Sequence, residues 1–224
     1  MKESEAKRRN AKQALSHIEK LTQNGGRLLD VGCFCGLFLD VAKQYGWDCT
    51  GIEPLVMPSI YARGTFGLNI ITDTLKEDSF QQEYFDIVTA FQVFEHIVKP
   101  SEELKKIYQF LKPGGLIVIE VPNIETAAVS FMGRHHRHFV EDHVNFFSEK
   151  TLTAFVEQYG FTKKKVIYPS RVLSMQQLVW WAGQYAGEGV AKFLKSILEH
   201  THQSSKTVSI NLKDIITVIA QKTS

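Results

Sequence analysis

Long apolar runs are missing from the 224-residue sequence, and none approaches the about 20 residues that a membrane-spanning helix requires. The first residues, Met1-Lys2-Glu3-Ser4-Glu5, are charged and lead into no apolar stretch of a secretory signal, so no leader is expected. Cysteine is sparse too. Cys33, Cys35 and Cys49 cannot all pair, and a chain of this length buries a core without staples, so a reducing, cytoplasmic compartment is the expectation. Neither sign of charge dominates: 26 Lys+Arg stand against 24 Asp+Glu, a formal net charge of +2. Without a polybasic field a dedicated nucleic-acid binder is disfavoured. A hydrophobic content of 44% with 22% charged residues excludes intrinsic disorder.

What is present is alternation. Residues 4–22 read as a helix on the spacing of Ala11, Ala14, Leu15, Ile18 and Leu21, with Asn24-Gly25-Gly26 as its stop. Its six Lys/Arg against three Glu over residues 1–20 predict a solvated basic face. Strands follow at 27–31, 48–53, 69–72, 85–91 and 116–121, separated by helices at 37–45, near 57–63 and from Pro100 to Leu111. Ser101 is the expected N-cap of the last of these, with Glu102 and Glu103 in the turn that the helix dipole favours. Strands parted by helices imply βαβ units and a parallel sheet covered on both faces, an α/β doubly wound class.

After residue 122 the pattern changes. Residues 123–147 are loop-like and His-rich, and Ser148 opens a helix closed by Gly160. A strand is expected at 166–168, a long helical stretch at 174–200 and a terminal strand at 214–220. At roughly 150 residues per domain, the length fits a single domain, 1–224, carrying three additions: helix 4–22, segment 123–147 and helical insertion 174–200.

The first strand ends in Asp30-Val31-Gly32-Cys33-Phe34-Cys35-Gly36. A dinucleotide loop would read G-x-G-x-x-G, and Phe34 breaks that pattern. Asp30 also works against a pyrophosphate and favours a cationic head. S-adenosylmethionine, with its sulfonium and ammonium, suits such a site. Glu53, closing the second strand, can accept hydrogen bonds from both ribose hydroxyls. Cys33-x-Cys35 lacks the second pair of a metal knuckle, so small residues filling a tight loop are the better reading.

The stretch from residue 28 to about 160 resembles the class I S-adenosylmethionine-dependent methyltransferases, and most of all their small-molecule branch that includes ubiquinone-biosynthesis O-methyltransferases. Four ordered segments carry the resemblance: Leu28-Leu29-Asp30-Val31-Gly32-Cys33 with Gly36; Gly51-Ile52-Glu53-Pro54; Phe85-Asp86-Ile87-Val88-Thr89 with Phe94-Glu95-His96-Ile97 and Pro100; and Leu111-Lys112-Pro113-Gly114-Gly115. The resemblance implies a mostly parallel seven-stranded Rossmann-like sheet with an antiparallel last strand. It places Asp30, Gly32, Cys33, Phe34 and Gly36 at the methionine end of the cofactor, Glu53 and Pro54 at the ribose, and Asp73 with Thr74 by the adenine. Phe91 and Gln92 would flank the transferred methyl, and S-adenosylhomocysteine would be the product. The main departure is Phe34, where the family usually has its middle glycine.

An oxygen acceptor needs a general base or a bound metal. Two groups of residues are candidates: Glu95-His96, and Arg134 to His143 in the later segment. In small-RNA 3′-end methyltransferases a Glu-x-x-Glu-His motif with a later Asp-His binds a divalent metal. Here Gln92 replaces the first glutamate, a far poorer ligand, so the sequence favours no metal. His143 or His96 is the preferred base, with Glu95 orienting one of them; a capping and packing pair is the plain alternative. Arg134–His138 reads equally as a clamp for an anionic, phosphate- or nucleotide-linked acceptor and as a solvated loop. Trp180 and Trp181 suggest core or homodimer packing, or else a lid over the acceptor.

The reading is methyl transfer to a small molecule at oxygen: a sugar, a glycan precursor or a quinone-like phenol. An amino-methylation signature is absent from Phe91-Gln92-Val93-Phe94. A non-catalytic cofactor-binding scaffold, supported by Phe34, is the second reading. An RNA methyltransferase is the third, favoured only if the basic N-terminus joins Arg134–Arg137 in one patch.

Overall fold

Apolar β-branched runs become strands and amphipathic stretches become their covering helices in a computed structural model of the chain, which describes residues 2–22, 25–126, 129–130, 133, 138–200 and 207–223. In chain order these are α1 (Lys2–Glu19), β1 (Gly26–Val31), α2 (Leu37–Gln44), β2 (Trp47–Ile52), α3 (Val56–Phe66), β3 (Asn69–Ile71), β4 (Phe85–Phe91), α4 (Pro100–Phe110) and β5 (Leu111–Pro122). Then come α5 (Glu149–Gln158), β6 (Phe161–Ile167), β7 (Arg171–Ser174), α6 (Met175–Ala186), α7 (Glu188–His200), β8 (Thr207–Ile210) and β9 (Ile215–Lys222).

Seven strands form one sheet in the order β3-β2-β1-β4-β5-β9-β6. The β1, β2, β3, β4 and β5 pairings are parallel, whereas β9 runs antiparallel to both β5 and β6. Adjacent residues face opposite ways. Leu29, Val88, Ile117 and Val218 pack beneath α4 and α5, while Leu28, Ile87, Val118 and Ile219 pack with Leu15, Ile18 and Leu39 of α1 and α2. Each such large side chain contributes about 1.5–3 kcal/mol of burial, which is why both faces need helical cover. The strand order reverses between β1 and β4, opening a crevice at their carboxyl ends where open α/β sheets take ligands.

Several boundaries differ from the sequence expectation. Helix α1 ends at Glu19, and Leu21 folds back on Ile18 in a turn, with its side chain 40% exposed. The apolar face of α1 is buried at Leu15 and Ile18, as the spacing predicts, together with Ala6, and on its charged side Arg8 pairs with Asp40 at 2.6 Å. Helix α4 begins at Pro100 with Lys99 as its N-cap, because proline's fixed φ starts a helix; Ser101 lies inside the first turn. Strand β5 begins at Leu111, so Lys112-Pro113-Gly114-Gly115 is an irregularity within the strand. Ser148 does cap α5, in a reciprocal pair of bonds with Thr151. The 174–200 stretch is two helices broken at Gly187 (φ +92°), and Ser174 belongs to β7, which pairs with β8 in a separate two-stranded ribbon. Among the described residues no helix is long and apolar enough to cross a membrane.

Candidate active site

After β1 the chain must reverse sharply to enter α2, and Gly32 (φ +71°), Phe34 (φ +47°) and Gly36 (φ +71°) all adopt left-handed backbone. At Gly32 a Cβ would sit 2.5 Å from Val93 Cγ2, so the loop after β4 excludes any side chain there. Phe34 tolerates the same conformation at a cost of about 1–2 kcal/mol, with its ring 57% exposed. In return its amide donates to Glu53 Oε2 at 2.8 Å, while the Leu55 amide donates to Oε1 at 2.9 Å. The buried Glu53 carboxylate is thereby fixed by two backbone donors, and each oxygen keeps acceptor capacity for a ligand.

These residues border a cleft of about 650 Å³ whose lining includes Gly32, Phe34, Glu53, Pro54, Asp73, Thr74, Phe91 and Gln92. Asp30, Cys33 and Gly36 do not line it. The Cys33 sulfur packs against Gly51 in the core with Leu39, and burial, with the Asp30 charge beside it, pushes its thiol far up. Gly36 makes room for Leu68 and Ala62, since a Cβ there would approach them to 2.6 and 2.9 Å. Asp30 lies buried below the loop and accepts a 2.6 Å bond from Thr89 Oγ1. Burial raises its carboxyl to about 7, against the lowering by Thr89 and with a further push from Glu53. Cys33, Gly36 and Asp30 thus shape the loop from beneath.

Gln92 is a second non-glycine residue in left-handed backbone (φ +57°), and its amide donates to the Glu120 carbonyl at 2.8 Å. Its side chain turns to Glu120 Oε1 at 3.4 Å, and Thr217 Oγ1 donates to Glu120 Oε2 at 3.0 Å. Behind Phe91, which lines both spaces, lies a smaller cavity of about 240 Å³ bordered by Asn10, Gln13 and His17 of α1, by Glu120 and by Thr217. His17 Nδ1 is buried there with no partner among the described residues, and burial, then Lys165 and Lys20, lower its pKa. The sequence reading passed over Glu120 and His17. A carboxylate within the apolar run Leu116–Val121 was the available signal for the first; nothing marked the second.

Past β4, Glu95, His96 and His143 converge, one ligand atom from each lying within 4.8 Å of the others. The loop carrying His143 is tied to β4's exit: Val144 and Asn145 amides donate to the Glu95 carbonyl, and Asn145 Nδ2 donates to the carbonyls of Phe94 and Ile97. His96 Nδ1 lies 2.9 Å from the Asp142 carbonyl and His143 Nδ1 lies 2.8 Å from the His138 carbonyl, so each Nδ1 is the donor. Both Nε2 atoms are left as acceptors. Burial lowers the His143 pKa, opposed by the His138 carbonyl and aided by His96. The Glu95 side chain is 1% exposed, and neither oxygen has a partner among the described residues. Burial raises its carboxyl to about 7, and the Glu120 charge adds to the rise. The expectation that Glu95 orients an imidazole is therefore corrected: backbone carbonyls do so.

Buried His138 anchors the segment to the approach to β9, its Nε2 lying 2.8 Å from the Asp214 carbonyl. Arg134–Arg137 lie outside the described residues, as does the Trp181 side chain; the Trp180 ring is 63% exposed.

A mostly parallel seven-stranded sheet with one antiparallel strand, a glycine-bent loop after β1 and a carboxylate closing β2 define a Rossmann-like methyltransferase fold. The sequence agrees: residues 4–166 match the family described as "Methyltransferase domain", and the chain belongs to it. It is 25% identical over 163 residues to the ubiquinone biosynthesis O-methyltransferase of Pseudomonas fluorescens (strain Pf0-1), covering 66% of this chain and 70% of the relative. It is 31% identical over 105 residues to the protein of that name from Bradyrhizobium sp. (strain ORS 278), covering 45% and 41%. A SAM-dependent methyltransferase structure from Archaeoglobus fulgidus superposes with a TM-score of 0.65 at 21% identity, covering 96% of this chain and 94% of that one. The protein is an S-adenosylmethionine-dependent methyltransferase.

Proposed function

We propose that the enzyme methylates a hydroxyl oxygen of a small molecule, a sugar, glycan precursor or quinone-like phenol, at the corner formed by His96 and His143. The observation that carries this reading is the pair of Nε2 atoms freed as acceptors because both Nδ1–H groups are spent on backbone carbonyls. A neutral amine needs no base to attack a methyl group, whereas a hydroxyl must shed its proton. The names of the matched relatives support oxygen as the acceptor atom.

The cleft fits the cofactor's chemistry. Gly32 leaves the space a side chain would fill, and Glu53 presents a fixed carboxylate suited to two ribose hydroxyls. In this reading Asp73, Thr74 and Pro54 border the adenosine, and Phe91 and Gln92 border the reacting end. S-adenosylmethionine supplies a methyl carbon made electrophilic by its sulfonium. The chain's own work is to hold the acceptor beside Gln92 and take its hydroxyl proton at an imidazole Nε2. His96, which lines the cleft, is the nearer route to that space.

The test uses cofactor carrying a ¹³C-methyl group and a panel of phenols and sugars. The product's carbon chemical shift separates O-methyl from N-methyl. An O-methyl product lost in His96→Ala and His143→Ala is the expected result. An N-methyl product, or unchanged turnover in both variants, contradicts the reading.

A further inference from the structure

We infer that the outer face of α3 is a self-complementary surface on which a second copy of the chain docks. A surface helix ordinarily turns apolar side chains inward and polar ones to water. In α3 that order is reversed. Its inward residues are the small Ser59 and Ala62, both fully buried, with Ser59 Oγ donating to the Leu55 carbonyl at 2.8 Å. Its outward residues are Val56, Met57, Ile60 and Tyr61, which with Leu55 just before them are each more than half exposed. Spacings of three and four place Val56 beside Ile60 and Met57 beside Ile60 and Tyr61, so the side chains form one continuous patch. A contiguous apolar patch, unlike a scattered apolar residue, marks a surface that is covered in use.

Area and charge point to a second copy as the cover. Half-exposed side chains of this size present on the order of 100 Å² each. With the exposed Pro54, Gly64 and Thr65 beside them, the five supply most of the about 800 Å² per partner of a standard interface. No charged residue occurs from Pro54 to Ala62. In a two-fold contact, residues near the axis meet their own counterparts, so a charge there would face its like; a neutral apolar patch avoids that penalty.

A lipid surface would instead need basic side chains flanking the apolar face. Those on and beside α3 are engaged: Arg63 donates to the Ile70 carbonyl and to Thr72 Oγ1, and Lys43 donates to the Gly67 carbonyl. The exposed apolar residues of α7 make a different surface, since Lys192 and Lys195 flank Phe193. Leu55 also lines the cofactor cleft, so the second copy stands at the border of that cleft. The inference is independent of the acceptor chemistry proposed above.

The experiment is sedimentation velocity of the untagged full chain across micromolar concentrations, for wild type, Met57→Lys, Ile60→Lys and Phe193→Lys, with a flotation assay on anionic vesicles alongside. The expected result is a two-chain species for wild type and Phe193→Lys. Met57→Lys and Ile60→Lys should sediment as single chains, their association weakened by at least about 100-fold because like charges then meet across the axis. Thermal melts show that the variants are folded, and one folded α3 variant decides. If neither folds, a bis-maleimide cross-link between two chains of Met57→Cys, in a Cys35→Ser background, decides: a cross-linked pair supports the contact and its absence overturns it. A wild type that sediments as one chain at tens of micromolar overturns the inference, whether or not it floats with vesicles. So does a two-chain species that persists in the folded α3 variants, or one that is lost in Phe193→Lys alone.

Discussion

The Phe34 amide donates to the Glu53 carboxylate at 2.8 Å, tying the loop after β1 to the end of β2 at the border of the 650 Å³ cleft. The bond explains how a bulky residue holds a left-handed backbone position. The residue is 57% exposed, and its backbone amide is the group that makes the tie to Glu53. The loop geometry needs a backbone that can reach φ +47°, and the Glu53 carboxylate holds it there.

Replacing Phe34 by glycine therefore relieves strain without removing the donor. Phe34→Gly is expected to leave S-adenosylhomocysteine affinity within about threefold and to raise stability by about 1 kcal/mol in urea denaturation. A loss of stability in place of that gain would show that the ring itself packs.

Glu53 has two duties, holding the Phe34 and Leu55 amides and facing the cleft. Glu53→Gln places an amide NH₂ against one backbone N–H and loses the charge. The expected outcome is destabilisation of about 1–3 kcal/mol and at least a tenfold weaker S-adenosylhomocysteine affinity, read by denaturation and calorimetry.

Asp30 imposes a pH dependence whose sign is fixed. Its folded carboxyl is raised to about 7 from 3.8, so the folded state holds the proton more tightly than the unfolded chain. The resulting stability is fully present below pH 3.8 and is lost as pH rises through about 7. Asp30→Asn removes that loss, so ligand-free variant and wild type should diverge progressively from pH 4 to 8, by about 2–4 kcal/mol at the top. Urea midpoints that shift equally at both ends would contradict it.

The three thiols differ in access. Cys33 and Cys49 are buried and Cys35 is half-exposed, and burial pushes the Cys49 thiol up to about 12. A thiol reagent applied to native protein at pH 8 should modify Cys35 promptly and the other two only after denaturation. Rapid reaction of all three would mean that the loop after β1 opens readily.

Much of the fold was legible in the sequence because local pattern and tertiary demand coincide. Phe85–Phe91 reads as a strand and is one, its apolar side chains feeding both layers of core. The β7–β8 ribbon was not legible: four-residue strands carry no periodicity, and Arg171–Ser174 runs directly into the pattern of α6. At the site, Glu53 and Asp30 announced themselves as carboxylates ending apolar strands. Their different environments did not, since only the folded chain gives Glu53 two backbone donors and buries Asp30 against Thr89. The partnership of His96 and His143 joins residues 47 positions apart, with ring centroids at 4.8 Å, and depends on the Asn145 bonds that draw one loop onto the other. Sequence spacing encodes none of that.

Calorimetric titration of the full chain with S-adenosylhomocysteine tests the central claim, that the Phe34–Glu53 cleft is the cofactor site. One equivalent should bind per chain, with the heat lost in Glu53→Ala while thermal melts show that variant still folded. No heat with the wild-type chain at millimolar ligand, or undiminished binding in the folded Glu53→Ala variant, would contradict it.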